Sequence, residues 1–176
     1  KNPLIISNHK EIAFDEIRSC YISPGFEISH KIVKKLNTHK IKILSDLDIF
    51  LKVHSKKSIL ITGTNGKTSV VSLLQHVMKS LGFKVKSIGN NGLPVLNHIQ
   101  EQLDYFVIEV SSFQIERTKS LSSLVSVLLN ISPDHLDVHD SFEQYIKIKK
   151  RIFENSNFKI GPEGLGLDLD FILPEI

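Results

Sequence analysis

Between Ser58 and Leu81 the spacing of apolar positions changes once, and the change falls at a glycine-bracketed loop. Ile59-Leu60-Ile61 is a short unbroken apolar run, the pattern of a strand buried on both faces. Val70, Val71, Leu74, Val77, Met78 and Leu81 then recur at helical spacing, predicting a helix over 70–81 with Gly82 as its stop. The same alternation extends both ways. Upstream, Tyr21-Ile22 ends a strand at the turn Ser23-Pro24-Gly25, and Ile28 to Leu36 is helical. Ile41 to Leu44 is a short strand, and Ser45 or Asp46 caps a helix to about Val53. Downstream, Lys84–Ile88, Tyr105–Val110 and Leu124–Ile131 read as strands. Asp140 and Glu143 have capping-box spacing for a helix from Ser141 to about Glu154. Leu165, Leu167, Leu169 and Phe171 alternate as one further strand. The fold class is α/β, a mostly parallel sheet with flanking helices. The polar run His54-Ser55-Lys56-Lys57 marks a candidate boundary, so the expected organisation is part of one α/β domain over 1–55, a second over 56–156, and an unassigned tail over 157–176.

The loop itself is Gly63-Thr64-Asn65-Gly66-Lys67-Thr68-Ser69. Its glycines let backbone amides turn inward, Lys67 adds a charge, and the following helix N-terminus favours anions. The Thr68 hydroxyl is placed to ligate the magnesium that accompanies ATP or GTP. The strict phosphate-loop pattern has a glycine where this chain has Ile61. The order strand, glycines, Lys-Thr, helix still favours phosphate binding over a plain strand-to-helix turn with an exposed lysine. Parallel strands deliver their carboxyl ends to one edge, where ligands of open α/β sheets bind. The segments Glu109-Val110-Ser111-Ser112 and Asn130 to His135 are therefore expected to meet this loop. Glu109 at a strand end suits magnesium opposite Thr68; an ordinary charged terminus is the competing reading. His135 and His139 are four apart, yet no cysteine is near and Asp134 and Asp137 are hard oxygen donors, which argues against structural zinc. His135 suits a magnesium or phosphate contact, and His139 the surface.

On the helix from Ser141 the apolar stripe is Phe142, Tyr145, Ile146, Ile152 and Phe153, and Lys149 falls in its middle, while Lys147, Lys150 and Arg151 point to solvent. An inward ammonium is costly, and burial lowers its pKa, leaving an amine open to modification. The alternative, equally weighted, is a lysine snorkelling at the rim of the core.

Composition narrows the classes. An apolar fraction of 41% over 176 residues supports a real core and excludes a disordered chain. The net charge of +3, from 22 basic and 19 acidic residues without a long basic run, gives no footprint for nucleic acid. The single cysteine, Cys20, excludes an intramolecular disulfide and fits a reducing, cytoplasmic compartment. No apolar run approaches the roughly 20 residues of a membrane span, and no signal-peptide pattern is visible.

Together these segments resemble the Mur ligase family, the ATP-dependent amide ligases of peptidoglycan precursor synthesis, cell-wall biogenesis, cell shape and division. Gly63-Thr64-Asn65-Gly66-Lys67-Thr68 is similar to that family's ATP loop, which accounts for Ile61. The other matching segments are Ser23-Pro24-Gly25, Gly89-Asn90-Asn91-Gly92-Leu93-Pro94, Glu109 through Ser111-Ser112-Phe113-Gln114, Asn130 through Asp137, and Tyr145 through Asn155. The Ser-Ser-Phe-Gln stretch resembles the D-glutamate-adding branch. The resemblance implies that ATP phosphorylates the carboxylate of UDP-N-acetylmuramoyl-L-alanine and that the amine of D-glutamate attacks the acyl phosphate. It implies ATP held by Gly63 to Ser69, with Lys67 on the β/γ-phosphates. Thr68 and Glu109 would hold one Mg2+; His135 and a carbamylated Lys149 would serve a second. Asn90, Ser111 and Gln114 would contact the muramoyl substrate. Residues 1–55 resemble the latter part of the family's UDP-substrate-binding domain and 56–156 its central ATP-binding domain; no motif of its C-terminal domain is found. The chain alone is therefore expected to be inactive in ligation, monomeric, and partnered only by small molecules. The competing readings are a non-catalytic nucleotide-binding module and a folate polyglutamylating relative. The Ser-Ser-Phe-Gln stretch argues against the latter.

Overall fold

The computed structural model describes residues 13–23, 26, 30–90, 92–134 and 141–174. A two-stranded parallel sheet comes first, β1 (Ser19–Tyr21) beside β2 (Lys42–Leu44), joined through α1 (Lys31–Thr38). Helix α2 (Asp46–His54) follows. Ser45 caps it in a reciprocal box, its hydroxyl accepting from the Asp48 amide while the Asp48 carboxylate accepts from the Ser45 amide. The main sheet has six strands, β3 (Ser58–Thr62), β4 (Val85–Gly89), β5 (Tyr105–Glu109), β6 (Ser123–Leu128), β7 (Ser156–Pro162) and β8 (Phe171–Leu173). Their order is β4-β5-β3-β6-β7-β8, and every pairing is parallel. Helices α3 (Lys67–Ser80), α4 (Ser112–Arg117) and α5 (Phe142–Lys150) connect them. Among the described residues no helix is long and apolar enough to cross a membrane.

Alternate residues of each strand face opposite layers. On one face Leu60, Ile88, Phe106, Ile108 and Leu128 pack against Leu47, Phe50 and Leu51 of α2, Ile115 of α4 and Ile148 of α5. The polar run expected as a boundary, 54–57, is a short 3-10 turn at its end. His54 before the turn donates to the Ile99 carbonyl, and Phe50 meets Phe106 edge to face at 5.0 Å. On the other face Ile59, Ile61, Val85 and Val107 pack against Val71, with Val70, Leu74 and Met78 of α3 closing over them.

Four expectations need correction. The strand expected through Leu165–Phe171 is not there. β8 begins only at Phe171, and Leu165 and Leu169 belong to the connection from β7, where they pack on the core beside Gly161. Leucines four apart reach one patch; Leu167 between them is exposed. The cap of α5 is Ser141, whose hydroxyl accepts from the Gln144 amide, in place of the expected Asp140–Glu143 box; Asp140 lies outside the described residues. Finally, Ile148 is on the buried face of α5 where Ile146 was expected to be. Arg151, expected toward solvent, clamps the end of α4 through the Ile115, Glu116 and Thr118 carbonyls.

Candidate functional site

β3 is buried along its whole length and runs into the loop, so the backbone leaving Thr62 is held on a rigid support. Gly66, at φ +79°, takes a left-handed conformation closed to most side chains and caps α3. That lets the helix begin at Lys67, earlier than the apolar spacing shows. The amides of Lys67, Thr68 and Ser69 then have no intrahelical acceptor and point outward at the helix N-terminus. Lys67 Nζ donates to the carbonyls of Gly63 (2.9 Å) and Thr64 (2.8 Å). Asn130, just past β6, braces the loop: its Oδ1 accepts from the amides of Thr64 and Asn65, and its Nδ2 donates to the Asn65 carbonyl. The Thr64 hydroxyl exchanges bonds with the Ser132 backbone. The strand expected to reach Ile131 stops at Leu128 because the next residues turn to make this brace.

Glu109 ends β5 beside β3 and is only 2% exposed. Its Oε2 accepts from the Thr68 hydroxyl at 2.8 Å and its Oε1 from the Asn90 side-chain amide at 3.1 Å. Asn90 is brought there by Gly89, at φ +101°, where any Cβ would collide with the Glu109 carbonyl. The Asn90 amide donates to that same carbonyl.

Lys149 is 1% exposed, which excludes the snorkelling alternative. Its Nζ donates to Thr62 Oγ1 (3.2 Å) and the Gly63 carbonyl (2.9 Å), and lies 4.9 Å from the centre of the Tyr145 ring. It thus reaches the back of the phosphate loop, bonding there and not to Glu109. Burial, helped by the charge of Lys67, pushes its pKa down to about 8, with Asp134 opposing. Tyr145 packs beneath it with its hydroxyl near that of Thr64, and burial pushes that phenol up. His135 lies outside the described residues.

Ser111 and Gln114 form the capping box of α4, each side chain bonding the other's amide. A cleft of about 160 Å³ is lined by Lys67, Asn90, Ser111, Asp134, Tyr145 and Lys149. It shares Asn90, Ser111 and Phe113 with a cleft of about 530 Å³ that continues past Gln114 to Asp46 and Arg117. Burial pushes the Asp46 carboxyl up. The structure therefore gathers Lys67, Thr68, Glu109, Asn90, Ser111, Gln114 and Lys149 at the carboxyl edge of the sheet. Asn130, Tyr145 and Arg117 were not expected there. Only Asn130 had a legible signal, a side-chain amide directly after a strand at that edge.

Residues 61–160 match the Mur ligase middle domain. A UDP-N-acetylmuramoylalanine–D-glutamate ligase of Francisella tularensis subsp. novicida is 42% identical over 139 residues, 77% of this chain and 33% of that protein. The chain thus spans about one third of the length of such relatives. The MurF ligase of Thermotoga maritima, solved in complex with ADP, shares the fold at a TM-score of 0.51 and 15% identity, covering 84% of this chain and 44% of that one. A UDP-N-acetylmuramoyl-L-alanyl-D-glutamate–2,6-diaminopimelate ligase does so at 0.54 and 17%, covering 84% and 41%.

Proposed function

The chain belongs to the Mur ligase family, and from that premise we propose that it carries the ATP and metal half of a ligase joining D-glutamate to UDP-N-acetylmuramoyl-L-alanine. The observation that supports this best is one carboxylate, Glu109, bonded on one side to the Thr68 hydroxyl of the phosphate loop and on the other to Asn90 in the adjoining cleft. The 42% identity to a D-glutamate-adding enzyme supports the choice of substrates. Residues 1–55 are then the latter part of a UDP-substrate domain and 56–156 the core of the ATP domain.

ATP sits on the first-turn amides of α3, with Lys67 leaving its loop carbonyls for the β- and γ-phosphates. A carboxylate oxygen of the muramoyl-alanine attacks the γ-phosphorus and ADP leaves. The amine of D-glutamate then attacks the acyl carbon, expels phosphate and gives up a proton to water. Asn90, Ser111 and Gln114 line the path along which the muramoyl group lies. Thr68 and Glu109 offer the hard oxygens that magnesium takes. Magnesium at a phosphate loop is held largely by phosphates and water with one or two protein oxygens. Bound there, Mg2+ supplies charge neutralisation for the transferring phosphoryl group. Lys149 as an ammonium cannot ligate metal. With its pKa near 8, its neutral amine adds carbon dioxide, forming an N–C bond and losing a proton, and with His135 the carbamate would serve a second ion.

This chain on its own does not complete the ligation, because it spans a third of its relatives and positioning three reactants supplies much of the rate. Calorimetry tests the reading: Lys67→Ala weakens ATP binding by about 1.5–3 kcal/mol, the value of a charge-assisted contact. Equal affinity in a folded variant removes the phosphate-loop assignment. Mass spectrometry of the chain with ATP, magnesium and both substrates yields no dipeptide product.

A further inference from the structure

We propose that Arg117 anchors the diphosphate of the nucleotide-sugar at the end of the larger cleft remote from the phosphate loop; the proposal rests on the ligase reading above. Arg117 is the last residue of α4, and its guanidinium Nε is fully buried without a hydrogen-bond partner among the described residues. The one bond the side chain makes there is long, from Nη1 to the Ser23 carbonyl at 3.5 Å. Arg151, packed against the same end of α4, shows what a structural arginine looks like here. Its Nε and Nη2 take Glu154, and its Nη groups take the carbonyls of Ile115, Glu116 and Thr118. Native proteins seldom leave a buried cationic N–H unmet, because the group has given up water for nothing.

Arg117 lines the 530 Å³ cleft together with Asn90, Ser111 and Gln114. Asp46 lines it too, but among the described residues it forms no ion pair with Arg117; its Oδ1 accepts from the Leu47 amide. Direction follows from the chemistry. The carboxylate to be phosphorylated must lie near Lys67, at the end where the two clefts share Asn90 and Ser111. A nucleotide-sugar held that way sends its diphosphate along the larger cleft, toward Arg117. A planar guanidinium matches the oxygens of a phosphate in a two-pronged contact that lysine cannot copy.

The test titrates the 176-residue chain with UDP-N-acetylmuramoyl-L-alanine and with N-acetylmuramoyl-L-alanine, which lacks the phosphates. Wild type prefers the nucleotide-sugar. Arg117→Ala lowers that affinity by about 10- to 100-fold, the range of a lost charge-assisted contact, and leaves the phosphate-free ligand unaffected. Arg117→Lys, which keeps the charge and the packing of the stem, falls between and guards against misfolding of the alanine variant. Equal losses for both ligands, or none for either, overturn the assignment to phosphate. If wild type binds ATP but not the nucleotide-sugar, the substrate reading fails and takes this proposal with it. If wild type binds the nucleotide-sugar and Arg117→Ala binds it as well, Arg117 alone is reassigned.

Discussion

Lys149 places a charge where packing calls for hydrocarbon. Its ordinary value of 10.5 falls to about 8 in the folded chain, first through burial and then through Lys67. Below pH 8 folded and unfolded states both carry the proton, and the burial penalty, about 3 kcal/mol for such a shift, is fully present. Between pH 8 and 10.5 the folded state releases its proton while the unfolded state keeps it, so stability rises with pH across that window. Urea unfolding of wild type and Lys149→Met in carbon-dioxide-free buffer checks this. The stability difference should move in favour of wild type by up to about 3 kcal/mol from pH 7.5 to 10. A flat difference would mean that the amine is not desolvated. At neutral pH the depressed value leaves about one tenth of the amine uncharged, far more than at an exposed lysine.

Among the elements, the phosphate loop owes its shape to a side chain from the segment that follows β6. Asn130→Ala removes the acceptor of the Asn65 amide and one of the two acceptors of the Thr64 amide, whose bond to the backbone carbonyl of residue 130 stays; a lost bond is worth about 0.5–1.5 kcal/mol. Hydrogen exchange at the Asn65 amide should quicken by about tenfold or more while the Thr64 amide, still held by the carbonyl of residue 130, changes less and the amides of β3 keep their protection, and ATP should bind more weakly. Unchanged exchange would show that the loop holds itself. This brace also marks the limit of what the sequence discloses. Strands β3, β4 and β5 and helix α3 were legible because their apolar spacing reports burial directly, and Gly63, Lys67, Thr68 and Glu109 because the motif fixes their order. Arg151 and Arg117 were not, since a charged residue reads as solvated until the carbonyls or the cleft around it are known. The leucines at 165, 167 and 169 misled for a related reason: alternation marks a strand only when a neighbour is available to pair with it.

At the scale of the molecule, the described elements cover the two faces of the sheet unequally. Helices α2, α4 and α5 close one face, whereas α3 sits over β3, β4 and β5 on the other. The register carries that second face onward from Val125 and Val127 to Phe158 and Ile160 and then Phe171. Phe158 and Phe171 remain 48% and 57% exposed, and Leu73, Val77 and Leu81 on the flank of α3 are exposed as well. Parallel sheets are ordinarily buried on both sides. The consequence is calorimetric. Apolar surface already hydrated in the native state adds nothing to the heat capacity of unfolding. The chain should therefore fall clearly below the about 12–15 cal/mol/K per residue of ordinary domains. Its stability should vary less with temperature, with a shallower denaturant slope to match. Scanning calorimetry at several pH values gives the heat capacity directly, and a value in the ordinary range would mean that this face is covered in solution.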